Sequence, residues 1–503
     1  MKQRRVWTIW PLTALLLCLG ILPCRGAEHG DDSAALRSYL ADFIENQRRD
    51  EEIPGLSIAL VDEQRVIWAQ GFGMADEEAG NAATPDTVYR AGGISTLVTA
   101  AAVMRLVAAG RLDLDRPITT YLPDFRIQGG FDDAPPITLR NLMSHHAGLP
   151  FGRLKGMWTD EPVSLETYVH ELRHERTGHR PGLLYAYSAM GYSIVGRVLE
   201  KVTGKPFAEA VQELVQRPLG MSASGFDFEP GSMEALAAGY KNGERKHPLK
   251  TRDLPALGLY SSVNDLSRFL QMLFTAAGPL DRAGVDALLS AHNTDAPLDL
   301  DLRTGFGWDL KWPSPSAVGL LAERNGATPL YRSHIGLLAK HGLGVIVMTN
   351  GNKASDAAEA IMREALGAAL EAKTGIRMEE AHGEDVPRPQ KRPVPDARLQ
   401  AMVGDYATLL GWVPIERVRH HLLVRVLGWE LEMQPRADAW YRPRYRLFGV
   451  IPLPFSALDD VYVGAERLAE RQVMVVRFRG RRYFFGQRLN PAKPVPEWDT
   501  RTG

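Results

Sequence analysis

Cysteine is nearly missing from this chain of 503 residues: the two that occur, Cys18 and Cys24, both lie within the first 26 positions. Once that segment is removed, nothing remains to form a disulfide, a thiolate metal site or a cysteine nucleophile. A surplus of either charge is missing too. The 59 Lys and Arg against 60 Asp and Glu leave a formal net charge of -1, so no global field draws the protein to nucleic acid or to an anionic membrane. There is no internal repeat, and no cofactor is expected. What is present is an ordinary globular composition, 45% hydrophobic and 24% charged, over a length that accommodates two or three domains.

The first 26 residues read as a signal peptide. A basic head, Lys2-Gln3-Arg4-Arg5, precedes an apolar run over residues 6–23 and small residues at Gly26-Ala27, with cleavage expected after Gly26. The expected location is the bacterial periplasm or the exterior. Retention of the run as an N-terminal anchor is the other reading, and only then does the protein associate with a membrane. Cys24 follows Pro23, a poor context for lipid attachment.

The centre of the chain is Ala91-Gly92-Gly93-Ile94-Ser95-Thr96, followed by Leu97-Val98-Thr99-Ala100-Ala101-Ala102-Val103-Met104. Two glycines allow a tight turn, and the alanine-rich run after Ser95 favours a helix that starts at once, with free N–H donors at its beginning. Gly110 reads as the stop. Before this turn, helical spacing over residues 34–49 leads into a hairpin, Gly55 to Val61 and Val66 to Gln70 about Asp62-Glu63-Gln64. A second hairpin, about Lys340-His341-Gly342, precedes a helix expected over residues 355–372. Pro387, Pro389, Pro393 and Pro395 mark a linker. Short alternating runs beyond it, such as Leu422-Leu423-Val424-Arg425-Val426 and Val473-Met474-Val475-Val476-Arg477-Phe478, indicate a small β domain, sandwich or barrel.

The turn and helix resemble the active-site turn of the serine β-lactamase, penicillin-binding protein and esterase family, in which Ser-x-x-Lys opens a helix that continues Thr-Ala-Ala-Ala. The resemblance extends in register over residues 34–372, through Leu106-Val107-Ala108-Ala109-Gly110-Arg111-Leu112-Asp113-Leu114, Asn141-Leu142-Met143-Ser144-His145-His146-Ala147-Gly148-Leu149-Pro150 and Gly258-Leu259-Tyr260-Ser261-Ser262. It implies an α+β, transpeptidase-like fold: an antiparallel sheet flanked by helices, beside an all-helical lobe drawn from residues 93–275, with the site between them. The domains expected are residues 27–375 for the β-lactamase-related unit, 376–397 for the linker and 398–503 for the β domain.

The family's chemistry uses a Ser nucleophile, a Lys three residues later, a Tyr-x-Asn motif and a Lys-Thr-Gly or His-x-Gly strand. Counting back seven positions from Ala100 puts the nucleophile position on Gly93 and the base on Thr96. The second motif is Tyr187-Ser188-Ala189, with Ala189 in place of Asn, and the third is Arg324-Asn325-Gly326, with Arg324 in place of the cation and Gly326 kept. Acyl transfer needs a hydroxyl and an adjacent base, and all three motifs are altered while the scaffold stays in register. The leading expectation is a ligand-binding or regulatory pseudoenzyme, in which Gly93→Ser, Thr96→Lys and Ala189→Asn together restore the chemistry. The alternative is a working hydrolase of esterase, peptidase or β-lactamase type using Ser95, Tyr187 or Ser188.

Tyr187, Arg324 and Ser95 are the candidate ligand-binding residues. The planar fork of Arg324 suits an anionic small molecule or a peptide C-terminus, unless it is neutralised by Glu323 or Asp309. A remote reading takes His170-Glu171-Leu172-Arg173-His174 as a His-Glu-x-x-His zinc peptidase helix, but no suitably spaced third His follows and a solvated charged helix explains the run. The adjacent His145 and His146 diverge and belong to a structural loop.

Overall fold

The computed structural model describes residues 29–129, 134–226, 236–379, 387, 389–390, 394–408, 411–426, 429–447, 451–452, 461–468, 471–478 and 481–489. The leader with Cys18 and Cys24, and half of the proline-rich linker, lie outside the described residues.

Helix α1 (His29–Asp50) leads into the hairpin of β1 (Gly55–Asp62) and β2 (Arg65–Asp76). All of β1 but its last residue is buried, which is why it reads as a continuous apolar run and not as an alternation. The central helix α2 (Ser95–Ala108) follows a 3-10 turn, Gly92–Ile94, and every residue from Ser95 to Met104 is buried. Helices α3 (Ala189–Thr203) and α4 (Val263–Thr275) pack in the same helical lobe, each capped by a serine, Ser188 and Ser262, whose side chain accepts a backbone N–H of the first turn.

The chain then returns to the sheet with β3 (Asp309–Lys311), β4 (Leu321–Ala327), β5 (Arg332–Leu338) and β6 (Leu343–Thr349), and closes the domain with α5 (Ser355–Thr374). The sheet order is β3-β4-β5-β6-β1-β2, with Arg303–Thr304 and Asn81–Ala82 at the two edges. Its pairings along this order are antiparallel, and β1 joins β6 with Leu56 opposite Thr349. The alternation of β1 divides its side chains between two cores. Leu56, Ile58 and Leu60 meet α1 and α5, whereas Ala59 and Val61 meet the helical lobe. The site therefore lies on the lobe side of the sheet.

After helix α6 (Asp396–Met402), eight strands form a second body: β7 (Gly404–Thr408), β8 (Gly411–Val418), β9 (His421–Val426), β10 (Trp429–Pro435), β11 (Tyr441–Leu447), β12 (Val461–Leu468), β13 (Arg471–Phe478) and β14 (Arg481–Arg488). The order β10-β9-β8-β7-β14-β13-β12-β11 is closed by the pairing of β10 with β11, Met433 opposite Pro443. It is a barrel, and closure removes the edges that a sandwich would expose. Leu399 and Met402 of α6 join Tyr406, Ile415, Met433 and Met474 in its core.

The barrel docks on the first domain through a mixed seat. Trp440, Tyr462, Val473 and Val475 pack on Leu298, while Arg482 donates to Asp301 from its backbone N (2.9 Å), Nε (3.2 Å) and Nη2 (2.9 Å). Both side chains remain more than a third exposed, so solvent screens the pair. Arg482→Ala is expected to loosen this seat by about 1 kcal/mol, seen in calorimetry as an earlier separation of the two melting transitions.

Candidate functional site

Three elements converge on a cavity of about 450 Å³: the turn before α2, the extended segment before α3, and β4. Gly93, Tyr187 and Arg324, one from each altered motif, line it together. Tyr185, Asp309, Phe151 and Trp158 complete much of the wall.

The alternation of β4 decides where Arg324 goes. Glu323 faces α5, where Arg363 Nη2 donates to its two oxygens at 3.0 and 2.9 Å and Lys311 Nζ also reaches it. Arg324 takes the opposite face. Of the two acids expected to neutralise it, only Asp309 is close, with Nη1 3.7 Å from Oδ2. The guanidinium stands 4.8 Å over the Tyr187 ring and is 3% exposed. Burial alone would lower its pKa, but Tyr185, Asp309 and Tyr187 outweigh burial and hold it firmly cationic. Burial raises the Tyr187 phenol, and the cation of Arg324 only partly offsets this; Tyr185 is raised for the same reason. Both are neutral phenols at physiological pH, and neither is a base. Burial likewise raises the Asp309 carboxyl, with Arg324 and Lys311 opposing.

The turn leaves no room for a side chain at Gly93. A Cβ on Gly93 would lie 2.6 Å from the carbonyl oxygen of Asn325 and 3.6 Å from Arg324 Nε. Gly326 is equally tight, since a Cβ there would meet Ala91 O at 2.0 Å. Thr96 is fully buried and its Oγ1 donates to Gly93 O at 2.7 Å, while Ala189 is buried at the start of α3.

Ser95 must be corrected as a ligand candidate. It is fully buried, donates to Gly92 O (2.5 Å) and accepts from Leu259 N (2.9 Å), because the first turn of α2 points its side chain into the lobe and away from the cavity. Ser188 is committed as well, donating to Pro150 O (2.6 Å) and accepting from Gly191 N (2.9 Å) as the cap of α3. Both serines spend their hydroxyls on backbone groups that would otherwise be unpaired.

The two histidines diverge as their adjacency requires. His145 lies under Tyr187 with ring centroids 4.5 Å apart, and its Nδ1 accepts from Ser188 N at 3.2 Å, so the neutral ring carries its proton on Nε2. Burial first, then Arg324 and His146, hold its pKa well below the usual range. His146 stands between Asp299 (Nε2 to Oδ2, 2.7 Å) and Ser144 (Nδ1 to Oγ, 3.1 Å). A serine protease also joins Asp, His and Ser, but with the serine on Nε2 and the aspartate on Nδ1; here the two nitrogens are exchanged, all three residues are buried and the Ser144 hydroxyl donates to Arg140 O at 2.8 Å. Asp299 also accepts from Tyr185 N at 2.6 Å. The network is a brace for the Tyr185 segment.

At the zinc-like run, the helix Leu165–Glu171 ends before the second histidine and a 3-10 turn, Leu172–His174, takes over. The shared face that i, i+4 ligands need is thereby lost, and Glu171 accepts from Arg153 at 2.7 Å. Among the described residues, no group of three His, Cys, Asp or Glu is arranged to hold a metal.

Tyr185 was the cavity residue that sequence reasoning passed over. A signal existed, since Tyr185-Ala186-Tyr187 in extended backbone places both rings on one side. Phe151 and Trp158 carried no local signal, because only the path of their loop brings them to the cavity.

Comparison with known proteins agrees with this fold. Residues 40–369 match the model of the family described as Beta-lactamase. The chain is 28% identical over 334 residues to Esterase EstB of Burkholderia gladioli, covering 57% of this chain and 83% of that one. It is 22% identical over 351 residues to a Beta-lactamase of Pseudomonas fluorescens, covering 63% and 94%. Among solved structures, SurE with D-Leu superposes with a TM-score of 0.65 at 22% identity, covering 91% of this chain and 100% of that one. The octameric penicillin-binding protein homologue from Pyrococcus abyssi superposes at 0.59 and 21%, covering 89% and 99%. These likenesses reach past the first domain into the barrel and concern the fold alone. With the family model spanning most of its length, the chain belongs to the Beta-lactamase family.

Proposed function

We propose that this member of the family binds, without turning it over, an anionic small molecule or a peptide C-terminus in the cavity beside Gly93. Acyl transfer requires a nucleophile and a base in contact. The two positions that would supply them are Gly93 and Thr96, the nearby serines are bonded to backbone, and Tyr187 is a neutral phenol. The observation that carries the binding reading is a pair of donors. Arg324 Nε and the Tyr187 hydroxyl are both buried with no hydrogen-bond partner, in two residues whose guanidinium and ring lie 4.8 Å apart. A buried donor left unpaired costs about 1–3 kcal/mol, and a carboxylate seated on both relieves that cost. Asp309 is an ion-pair neighbour at 3.7 Å from Nη1, and Nε stays without a hydrogen-bond partner, open to such an acceptor.

The test is a thermal melt with N-acetyl-dialanine and with its C-terminal amide, each at millimolar concentration. The acid is expected to raise the melting temperature through mass action, the amide to leave it unchanged, and Arg324→Gln to abolish the response. A melting temperature indifferent to the acid, in protein whose circular dichroism is native, removes the reading.

A further inference from the structure

We infer that the ligand is an amphiphile: a carboxylate head on Arg324 and Tyr187, and an apolar tail that leaves the cavity past Phe151 and over Leu154. The inference rests on the binding reading above and adds the class of molecule bound.

The donors are gathered on one side of the cavity. Most of the remaining wall is apolar, made by Phe151, Met157, Trp158, Leu257 and Pro329. A small polar anion would leave that wall facing water, whereas an apolar tail would cover it. The apolar surface also continues outward. The Phe151 ring lies 5.7 Å from the Tyr187 ring, lines the cavity and is still 42% exposed. Leu154, three residues further along the same strap, is 75% exposed.

A single exposed leucine needs no explanation, but this one is held in place. Arg252 donates through Nη2 to Arg153 O (2.8 Å) and through Nη1 to Lys155 O (3.2 Å), the two carbonyls that flank Leu154. Arg252 itself is buried, stacks 3.8 Å over Tyr168 and pairs with Asp253 at 2.9 Å. The strap is fastened from beneath on both sides of Leu154, so the side chain cannot turn inward to bury itself. Phe151, beside Tyr187, and Leu154, held at the surface on the same strap, mark the path assigned to the tail. A head-and-tail molecule matches it end to end.

Calorimetric titration of the full protein with butanoate, hexanoate, octanoate and decanoate, with octan-1-ol as the uncharged control, tests the inference. Affinity is expected to rise by up to about fourfold for each methylene laid on the track, and octan-1-ol to bind far more weakly than octanoate. Leu154→Asp, at an exposed position, is expected to remove the gain from octanoate to decanoate and to leave butanoate unchanged. Equal affinity for butanoate and decanoate overturns the tail while leaving the anion site standing. Octan-1-ol binding as well as octanoate overturns the head. Binding of N-acetyl-dialanine but of none of these acids makes the ligand a peptide and overturns the amphiphile, and binding of none of the probes overturns both readings. A Leu154→Asp protein that keeps the full chain-length dependence overturns the path over Leu154.

Discussion

Purified residues 27–503, exposed to a fluorophosphonate or to a penicillin, are expected to keep their intact mass. Both reagents trap a competent serine, and loss of the nucleophile in such enzymes costs on the order of a million-fold in turnover. Neither candidate replacement is free to act. Ser95 is turned into the lobe between Gly92 O and Leu259 N, and Ser188 is spent on Pro150 O and Gly191 N. A stoichiometric adduct would overturn this, and peptide mapping would name the residue responsible. The structure also changes what is expected of the variant that puts the family's groups back. Serine at position 93 brings a Cβ to 2.6 Å from Asn325 O, a backbone oxygen of a strand held in register against β5 with Asn325 opposite His334, so it does not swing away as a flexible side chain would. Position 96 is no roomier, since a Cβ on Gly307 would lie only 3.0 Å from Thr96 Oγ1. The Gly93→Ser, Thr96→Lys, Ala189→Asn variant is therefore expected to lose about 1–3 kcal/mol by overpacking and to remain unlabelled. Full labelling of that variant would mean that β4 yields and that only side chains separate this protein from an active one.

Much of the first domain was legible because its signals are local. The glycine turn into an alanine-rich helix, the hairpin about Asp62-Glu63-Gln64 and the long C-terminal helix each follow from periodicity and turn residues, and all appear within a few residues of where the spacing puts them. The barrel was legible only as a class. Strand β11 carries Arg442, Pro443 and Arg444, and a proline argues against a strand within a sheet; only closure of the barrel gives this segment partners on both sides. The site divides in the same way. Counting residues placed Gly93, Tyr187 and Arg324 at equivalent positions in three motifs, and the fold brings them to one cavity. Counting could not say which acid faces Arg324, because that depends on which side of β4 each residue occupies and on β3 pairing beside it. Nor could it show that Ser95 faces the lobe, since the turn geometry that decides this is set by contact with Leu259, more than a hundred and fifty residues away.

Acid is expected to cost this fold stability through His334, from pH 6.5 down to about 4. His334 lies on β5 opposite Asn325, on the sheet face covered by α5, and is 4% exposed. Its Nε2 has no partner. Burial lowers its pKa to about 4; Glu323 and Glu359 resist that shift, while Arg363 and Lys311 reinforce it. Between about 4 and its ordinary value of 6.5, the unfolded chain takes up a proton that the native protein refuses, so stability rises with pH across that window and is lost as pH falls through it. At about 1.36 kcal/mol per unit, the span corresponds to a loss of about 3 kcal/mol. His145, also depressed by burial, adds a loss of the same sign. Burial raises the carboxyls of Asp253, Asp265 and Asp309, which act in the opposite sense: the native protein takes up their protons first, so they add stability as pH falls toward the ordinary carboxylate value near 4. Urea unfolding of the wild type and of His334→Gln at pH 7.5 and at pH 4.5 separates these contributions, because every other group is common to both proteins. The variant is expected to lose about 2–3 kcal/mol less than the wild type between the two conditions. Parallel losses in the two proteins would mean that water or a shift of α5 reaches His334 in the native state, and that its neutral form is not what the fold requires.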